Sequence, residues 1–153
     1  MKRILVSLVM TLTLSTALFS QAFNSIPTNR EISQLPNGWY TFKLDGVAFD
    51  VEIEFGKYKK GNISWLDGST YSGDLNGVHI SGKGSYTWPD GSQYLGCFRR
   101  HQRHGKGSQI AGDGSKWSGK WKNNQKNGKG TTFDTNGAKL QDSTWEAGQL
   151  LEK

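Results

Sequence analysis

Between Val47 and Phe55 the chain alternates Val47, Phe49, Val51, Ile53 and Phe55 against Ala48, Asp50, Glu52 and Glu54. A period of two predicts a half-buried strand. Further on the alternation is shorter and interrupted by glycine. Tyr71/Gly73/Leu75, Tyr94/Gly96/Phe98 and Trp117/Gly119/Trp121 share one parity, and Ser72/Asp74, Leu95/Cys97 and Ser118/Lys120 take the other. One face of the predicted sheet thus carries a ladder of ring, glycine and large apolar residue. Glycine weakens a strand unless a neighbouring ring covers the gap, so the rings of one hairpin are expected to lie across the glycines of the next. The second strand of each unit is less regular: Ile63/Trp65 and Tyr86/Trp88 agree in phase, whereas Ile110 and Phe133 fall on the other parity. That predicts a change of buried side, or looser packing, toward the C-terminus.

The punctuation is periodic. Asp67-Gly68, Asp90-Gly91, Asp113-Gly114 and Asn136-Gly137 fall 23 residues apart. The first three are followed by Tyr71-x-Gly73, Tyr94-x-Gly96 and Trp117-x-Gly119, then by Gly82-Lys-Gly84, Gly105-Lys-Gly107 and Gly128-Lys-Gly130. A fixed period of this size marks a repeat architecture. Each unit has two short apolar runs, an Asp-Gly or Asn-Gly turn, and a second turn near Asn76-Gly77, Arg100-His101 or Asn123-Asn124. Two turns per period predict one hairpin per repeat in a single-layer, all-β antiparallel meander. Glycine at this frequency disfavours helix; Trp145 to Leu151 is read as a short terminal helix. The regular units are Gly61–Lys83, Gly84–Lys106, Gly107–Lys129 and Gly130–Glu152, so 61–153 is the repeat region with a degenerate last unit. Residues 38–60 read as a degenerate N-terminal capping repeat and 23–37 as a linker or loosely docked arm.

Composition changes the picture in two ways. At 153 residues, 34% hydrophobic yet 12% aromatic with 20 glycines, the chain suits one thinly packed domain. Lys2-Arg3, the apolar run Ile4 to Phe19 and Ser20-Gln21-Ala22 form the three regions of a secretory signal peptide, residues 1–22. The apolar run is short for a membrane span. The expected destination is secreted, periplasmic or lumenal. The single cysteine, Cys97, excludes an internal disulfide.

At this point the residues resemble a known family. The run Gly84-Lys-Gly-Ser-Tyr-Thr-Trp-Pro-Asp-Gly-Ser-Gln-Tyr-Leu-Gly96 is similar to the MORN repeat (membrane occupation and recognition nexus), whose hallmarks are Tyr-x-Gly, His-Gly-x-Gly and an Asp-Gly turn. His104-Gly-Lys-Gly107 carries the second in full. Ser81 and Asn127 replace that histidine, Ala111 replaces the tryptophan seen at Trp65 and Trp88, and Leu140-Gln-Asp142 stands where Tyr-x-Gly belongs. The resemblance implies an elongated, twisted sheet of hairpins that binds or assembles and does not catalyse, with membranes, acidic phospholipids or other proteins as partners.

Charge supplies the candidate site. From Gly96 to Gly130 there are nine bases and one acid, Asp113, whereas Phe23 to Lys60 holds five of each. Arg99-Arg100-His-Gln-Arg103 and Lys122-Asn-Asn-Gln-Lys126 occupy equivalent loops, so stacked repeats are expected to set them side by side as a basic ridge. Arg99, Arg100, Arg103, Lys120, Lys122 and Lys126 are the candidate anion- or lipid-binding residues. The same run also reads as a merely solvated loop. Cys97, His101 and His104 lack the further ligands a metal site needs, and neither metal nor cofactor is expected. Nor is a catalytic constellation or a small-molecule substrate. Export argues against nucleic acid. Two readings result: an exported, non-catalytic module engaging an anionic surface, or an assembly protein that pairs, as a homodimer for instance, through an open aromatic sheet face.

Overall fold

The computed structural model describes residues 4–5 and 32–152. The signal-peptide reading of 1–22 (apart from Ile4 and Leu5), its cleavage site and residues 23–31 of the arm lie outside them. Among the described residues, twelve strands form one sheet in chain order. They are β1 (Ile4–Leu5), β2 (Gly38–Leu44), β3 (Val47–Glu54), β4 (Lys57–Ser64), β5 (Thr70–Asn76), β6 (His79–Thr87), β7 (Gln93–Arg99), β8 (Gln102–Ile110), β9 (Lys116–Lys122), β10 (Gln125–Phe133), β11 (Lys139–Glu146) and β12 (Gln149–Glu152). β1 runs parallel to β2; the other eleven strands pair antiparallel with their chain neighbours, the open meander that the period implies.

The register explains the glycines. Gly61, Gly73, Gly84, Gly96, Gly107, Gly119 and Gly130 are successive cross-strand partners, a row running straight across β4 to β10 and ending opposite Ser143 of β11. The rings of Tyr71, Tyr94 and Trp117 lie over this row. Each covers the second glycine of the following Gly-Lys-Gly, and a Cβ at Gly84, Gly107 or Gly130 would collide with it. The first glycine does another job. Gly82, Gly105 and Gly128 have φ of +93°, +72° and +94°, where an L side chain is strained. They sit in segments where the pairing register shifts, so two extra residues are absorbed there as a bulge.

The two turn classes also differ. At Trp65, Trp88 and Ala111 the chain makes a three-residue loop closed by Gly68 N→Trp65 O, Gly91 N→Trp88 O and Gly114 N→Ala111 O. Only the glycine has positive φ. Asp67, Asp90 and Asp113 brace these loops by accepting from the backbone N–H groups of Ser69, Ser92 and Ser115. The opposite corners are two-residue loops, with φ above zero at both Arg100 and His101 and at both Asn123 and Asn124, the twist that suits a tight hairpin.

Three expectations are corrected. Trp145 to Leu151 is not a helix: it spans the β11–β12 hairpin, turned at Ala147-Gly148. Phe55 does not continue the buried alternation, because it lies in a tight turn with φ +49° and is exposed. The buried side does not change after β7 either. Trp117, Trp121 and Ser143 are buried on the face of Tyr71 and Tyr94. Gln109 and Thr132 stand where Tyr86 stood, and Ile110 and Phe133 turn to the other face. Packing does thin out at the end, where Leu140, Leu150 and Leu151 are exposed. Within the stretch read as an arm, Ile32 is buried and Pro36 accepts a hydrogen bond from the Tyr40 hydroxyl.

Candidate basic surface

The rings close on one another. Tyr71–Phe98, Phe98–Tyr94, Tyr94–Trp121, Trp121–Trp117 and Trp117–Trp145 make an unbroken edge-to-face chain with centroids 5.0 to 6.1 Å apart. Such contacts add about 0.5–1.5 kcal/mol each beyond the area they bury. The Tyr71 and Tyr94 hydroxyls donate to the carbonyls of Asp74 and Cys97, and Tyr71, Tyr94 and Trp117 are all buried. The aromatic face is therefore a core that the chain itself covers. It is not the open surface expected for assembly.

Two of the candidate cations belong to that core. Arg103 and Lys126 sit opposite Phe98 and Trp121, at the position Ile80 fills opposite Leu75 one repeat earlier. Arg103 lies 4.3 Å over Trp121 and also faces Trp88 and Tyr94. Its guanidinium donates to Gln109 Oε1 at 2.9 Å and to the Asn124 carbonyl at 2.8 Å. Lys126 lies between Trp117 and Trp145, 4.7 and 4.4 Å from their centroids. Burial lowers the pKa of both groups, helped for Lys126 by the Arg103 charge. The two loops do stand side by side, joined by Asn124 N→Arg103 O and Arg103 N→Asn124 Oδ1, but these two side chains point away from the ridge.

The other four candidates, Arg99, Arg100, Lys120 and Lys122, are exposed. Arg99, Lys120 and Lys122 alternate onto the face opposite the rings, and Arg100 is at the turn tip. On that face the structure adds two residues that sequence reasoning left out of the site, Lys106 and Lys129. Lys106 pairs with Lys120 across β8 and β9, and an open hollow is lined by Lys106, Lys120, Lys129, Ser108 and Ser118 with no carboxylate among its residues. The two serine hydroxyls are hydrogen-bonded at 2.9 Å. Lys106 and Lys129 are the central residues of their Gly-Lys-Gly motifs, so the period itself was the signal. Cys97 pairs with Lys83 on the same face, half-buried. Among the described residues no three His, Cys, Asp or Glu side chains gather as metal ligands, and no helix is long and apolar enough to cross a membrane.

Comparison with known proteins bears on the repeat itself. The family model of the MORN repeat matches residues 79–93, 94–116 and 117–139. No curated protein matches the chain.

Proposed function

We propose that this protein is an exported, non-catalytic module that docks on an anionic surface, the acidic headgroups of a phospholipid bilayer; the match of residues 79–93, 94–116 and 117–139 to the MORN repeat, a unit that serves elsewhere in membrane or protein binding, supports this. The observation that carries this reading is the separation of charge by face. Lys106, Lys120 and Lys129 line one open hollow without a carboxylate, and Arg99, Arg100 and Lys122 extend the exposed positive charge toward the tight turns. Each base brought to an anionic bilayer adds about 1 kcal/mol, so six acting together supply a useful affinity without any deep pocket. Arg103 and Lys126 are left out of this surface because they are committed to the rings.

Co-sedimentation with phosphatidylcholine vesicles, with and without phosphatidylserine, tests the reading. Retention on the anionic vesicles, lost when Lys106, Lys120 and Lys129 are all changed to Glu, supports it. Equal retention of the triple variant overturns it.

A second reading, assembly with another protein chain, draws on a different surface from the one expected. Leu140, Leu150 and Leu151 are exposed on β11 and β12, and β12 is the last strand of the open sheet. An unpaired, partly apolar edge favours pairing with a further strand. Light scattering that finds only monomer at tens of micromolar counts against it.

A further inference from the structure

His79 and His101 meet between successive hairpins, with His79 Nδ1 2.9 Å from His101 Nε2. Their roles follow from the surrounding bonds. The Ile80 backbone N–H donates to His101 Nδ1 at 3.4 Å, so that nitrogen is the acceptor and Nε2 carries the proton. His101 Nε2–H therefore donates to His79 Nδ1, and both rings are neutral. A proton added to either ring removes an acceptor: on His79 it sets two N–H groups head to head, and on His101 it faces the Ile80 N–H.

The same contact exists one repeat later without a titratable group. There the Arg103 N–H donates to Asn124 Oδ1 at 2.8 Å, and Asn124 N donates to the Arg103 carbonyl just as His101 N donates to the Ile80 carbonyl. One turn is thus latched by an amide and its neighbour by imidazoles. The latched turn holds Arg100 and His101 at φ +47° and +67°, further tied by Arg100 N→Ser81 Oγ. Positive φ at two non-glycine residues persists only while surrounding bonds hold it.

We propose that the His79–His101 pair is an acid-sensitive latch on the Arg99-Arg100 turn: protonation frees the turn and adds positive charge beside it, so attachment to an anionic surface strengthens as pH falls. This rests on the anionic-surface reading above. The charged residues carried by the elements that flank the pair are Asp74 on β5, Lys83 on β6, Arg99 on β7, Arg100 in the turn, and Arg103 and Lys106 on β8. Asp74 is the one acid among these, and it already accepts from Lys83 N at 2.8 Å; Arg103 is turned to Trp121. Burial, with the neighbouring His79 ring, depresses the His101 pKa, so the latch stays shut at neutral pH. By linkage, an anionic surface that prefers the protonated pair must raise its proton affinity in return.

The test uses the full chain and a substitution that the protein itself supplies at the next turn, His101→Asn, which keeps the acceptor and cannot titrate. Ring NMR titration of the wild type is expected to place His101 below the ordinary imidazole range. A His101 transition near 6.5 overturns the latch whatever happens at membranes. Retention on phosphatidylserine-containing vesicles is expected to rise at least threefold from pH 7.5 to 5.5 in the wild type and to stay flat in His101→Asn. A wild type with no rise, or a variant that rises equally, overturns the proposal. No retention at either pH overturns the anionic-surface reading itself, an outcome the ring titration tells apart from failure of the latch.

Discussion

Arg103 lies over Trp121, 4.3 Å from its centroid, in the place that Ile80 takes one repeat earlier. A cation thus does an aliphatic side chain's work, covering a ring while its guanidinium satisfies Gln109 and the Asn124 carbonyl. Stacking of this kind contributes about 0.5–2 kcal/mol, and the stem adds packing. Arg103→Ala is therefore expected to cost about 1–2 kcal/mol in urea unfolding. Arg103→Leu, restoring the Ile80 chemistry, should recover most of it. If Arg103→Ala leaves stability untouched and weakens vesicle retention instead, the side chain serves the surface and not the core.

Gly107 tests the ring-over-glycine arrangement. It lacks a positive φ, so its demand is for space alone: a Cβ there would run into the Tyr94 ring and hydroxyl. Overpacking of this sort costs typically 1–3 kcal/mol, and Gly107→Ala is expected near the top of that range. Gly91, at φ +81° with open space around it, asks only for backbone freedom, so Gly91→Ala should cost about 1 kcal/mol. A double-mutant cycle separates the two. Tyr94→Ala should relieve Gly107→Ala by at least about 1 kcal/mol and leave Gly91→Ala unchanged. Additivity at Gly107 would mean the ring is not what excludes the methyl.

The repeat was legible because its constraints are local. Asp-Gly loops, rings two residues before a glycine, and Gly-Lys-Gly each leave a mark at a fixed offset, and the strand faces follow from parity. What stayed hidden was where the strands resume beyond the tight turns. The register shift around Gly82, Gly105 and Gly128 takes up two residues between the tight turn and the glycine row, so Arg103 and Lys126, written in a basic loop, keep the parity of Gly107 and Gly130 and end on the ring side. Phe55 fails for a related reason, since a two-residue turn interrupts the alternation it seemed to extend. Trp145 to Leu151 offers too short an apolar pattern to tell strand from helix. Lys106 and Lys129 were visible among the nine bases yet left out of the site, because nothing in one strand announces that the neighbouring strand brings Lys120 alongside.

The separation of cations by face makes a further expectation. Single changes Lys106→Gln, Lys120→Gln and Lys129→Gln should each weaken retention on anionic vesicles by about fivefold, the equivalent of about 1 kcal/mol per base, with no change in Tm. Lys126→Gln should do the reverse, lowering Tm through lost contact with Trp117 and Trp145 and leaving retention nearly intact. Retention should also fall steeply as salt shortens the Debye length from about 10 Å at 0.1 M. Binding indifferent to salt would point to an apolar contact instead.

In acid the loops respond first. Hydrogen bonds from Ser69, Ser92 and Ser115 hold Asp67, Asp90 and Asp113 below the ordinary carboxylate range. Folded pKa values that are depressed contribute stability above the unfolded value and lose it as pH falls through the folded one. Stability is therefore expected to hold above about pH 4 and to decline below it. Asp90→Asn, Asp113→Asn and Asp67→Asn together should flatten that decline; an unchanged acid limb would place its origin in other carboxylates.

At the alkaline end the sign reverses. Burial pushes the Tyr94 hydroxyl up to about 12, with Cys97 adding to the shift and the Arg103 charge opposing it; Tyr71 moves the same way. A folded pKa above the unfolded one, near 10, gives stability that is complete below pH 10 and is lost as pH climbs toward 12. Phenolate absorbance from these two residues should consequently lag behind that of exposed tyrosine and rise together with loss of the near-ultraviolet circular dichroism of the packed rings. Tyr94→Phe keeps a ring over Gly107 and removes the ionisable group. It should cost about 1 kcal/mol at neutral pH, through the bond to the Cys97 carbonyl, yet move alkaline unfolding to higher pH. Tyrosines that titrate completely near pH 10 while the circular dichroism persists would show that Tyr71 and Tyr94 are open to water, and with them the whole edge-to-face chain.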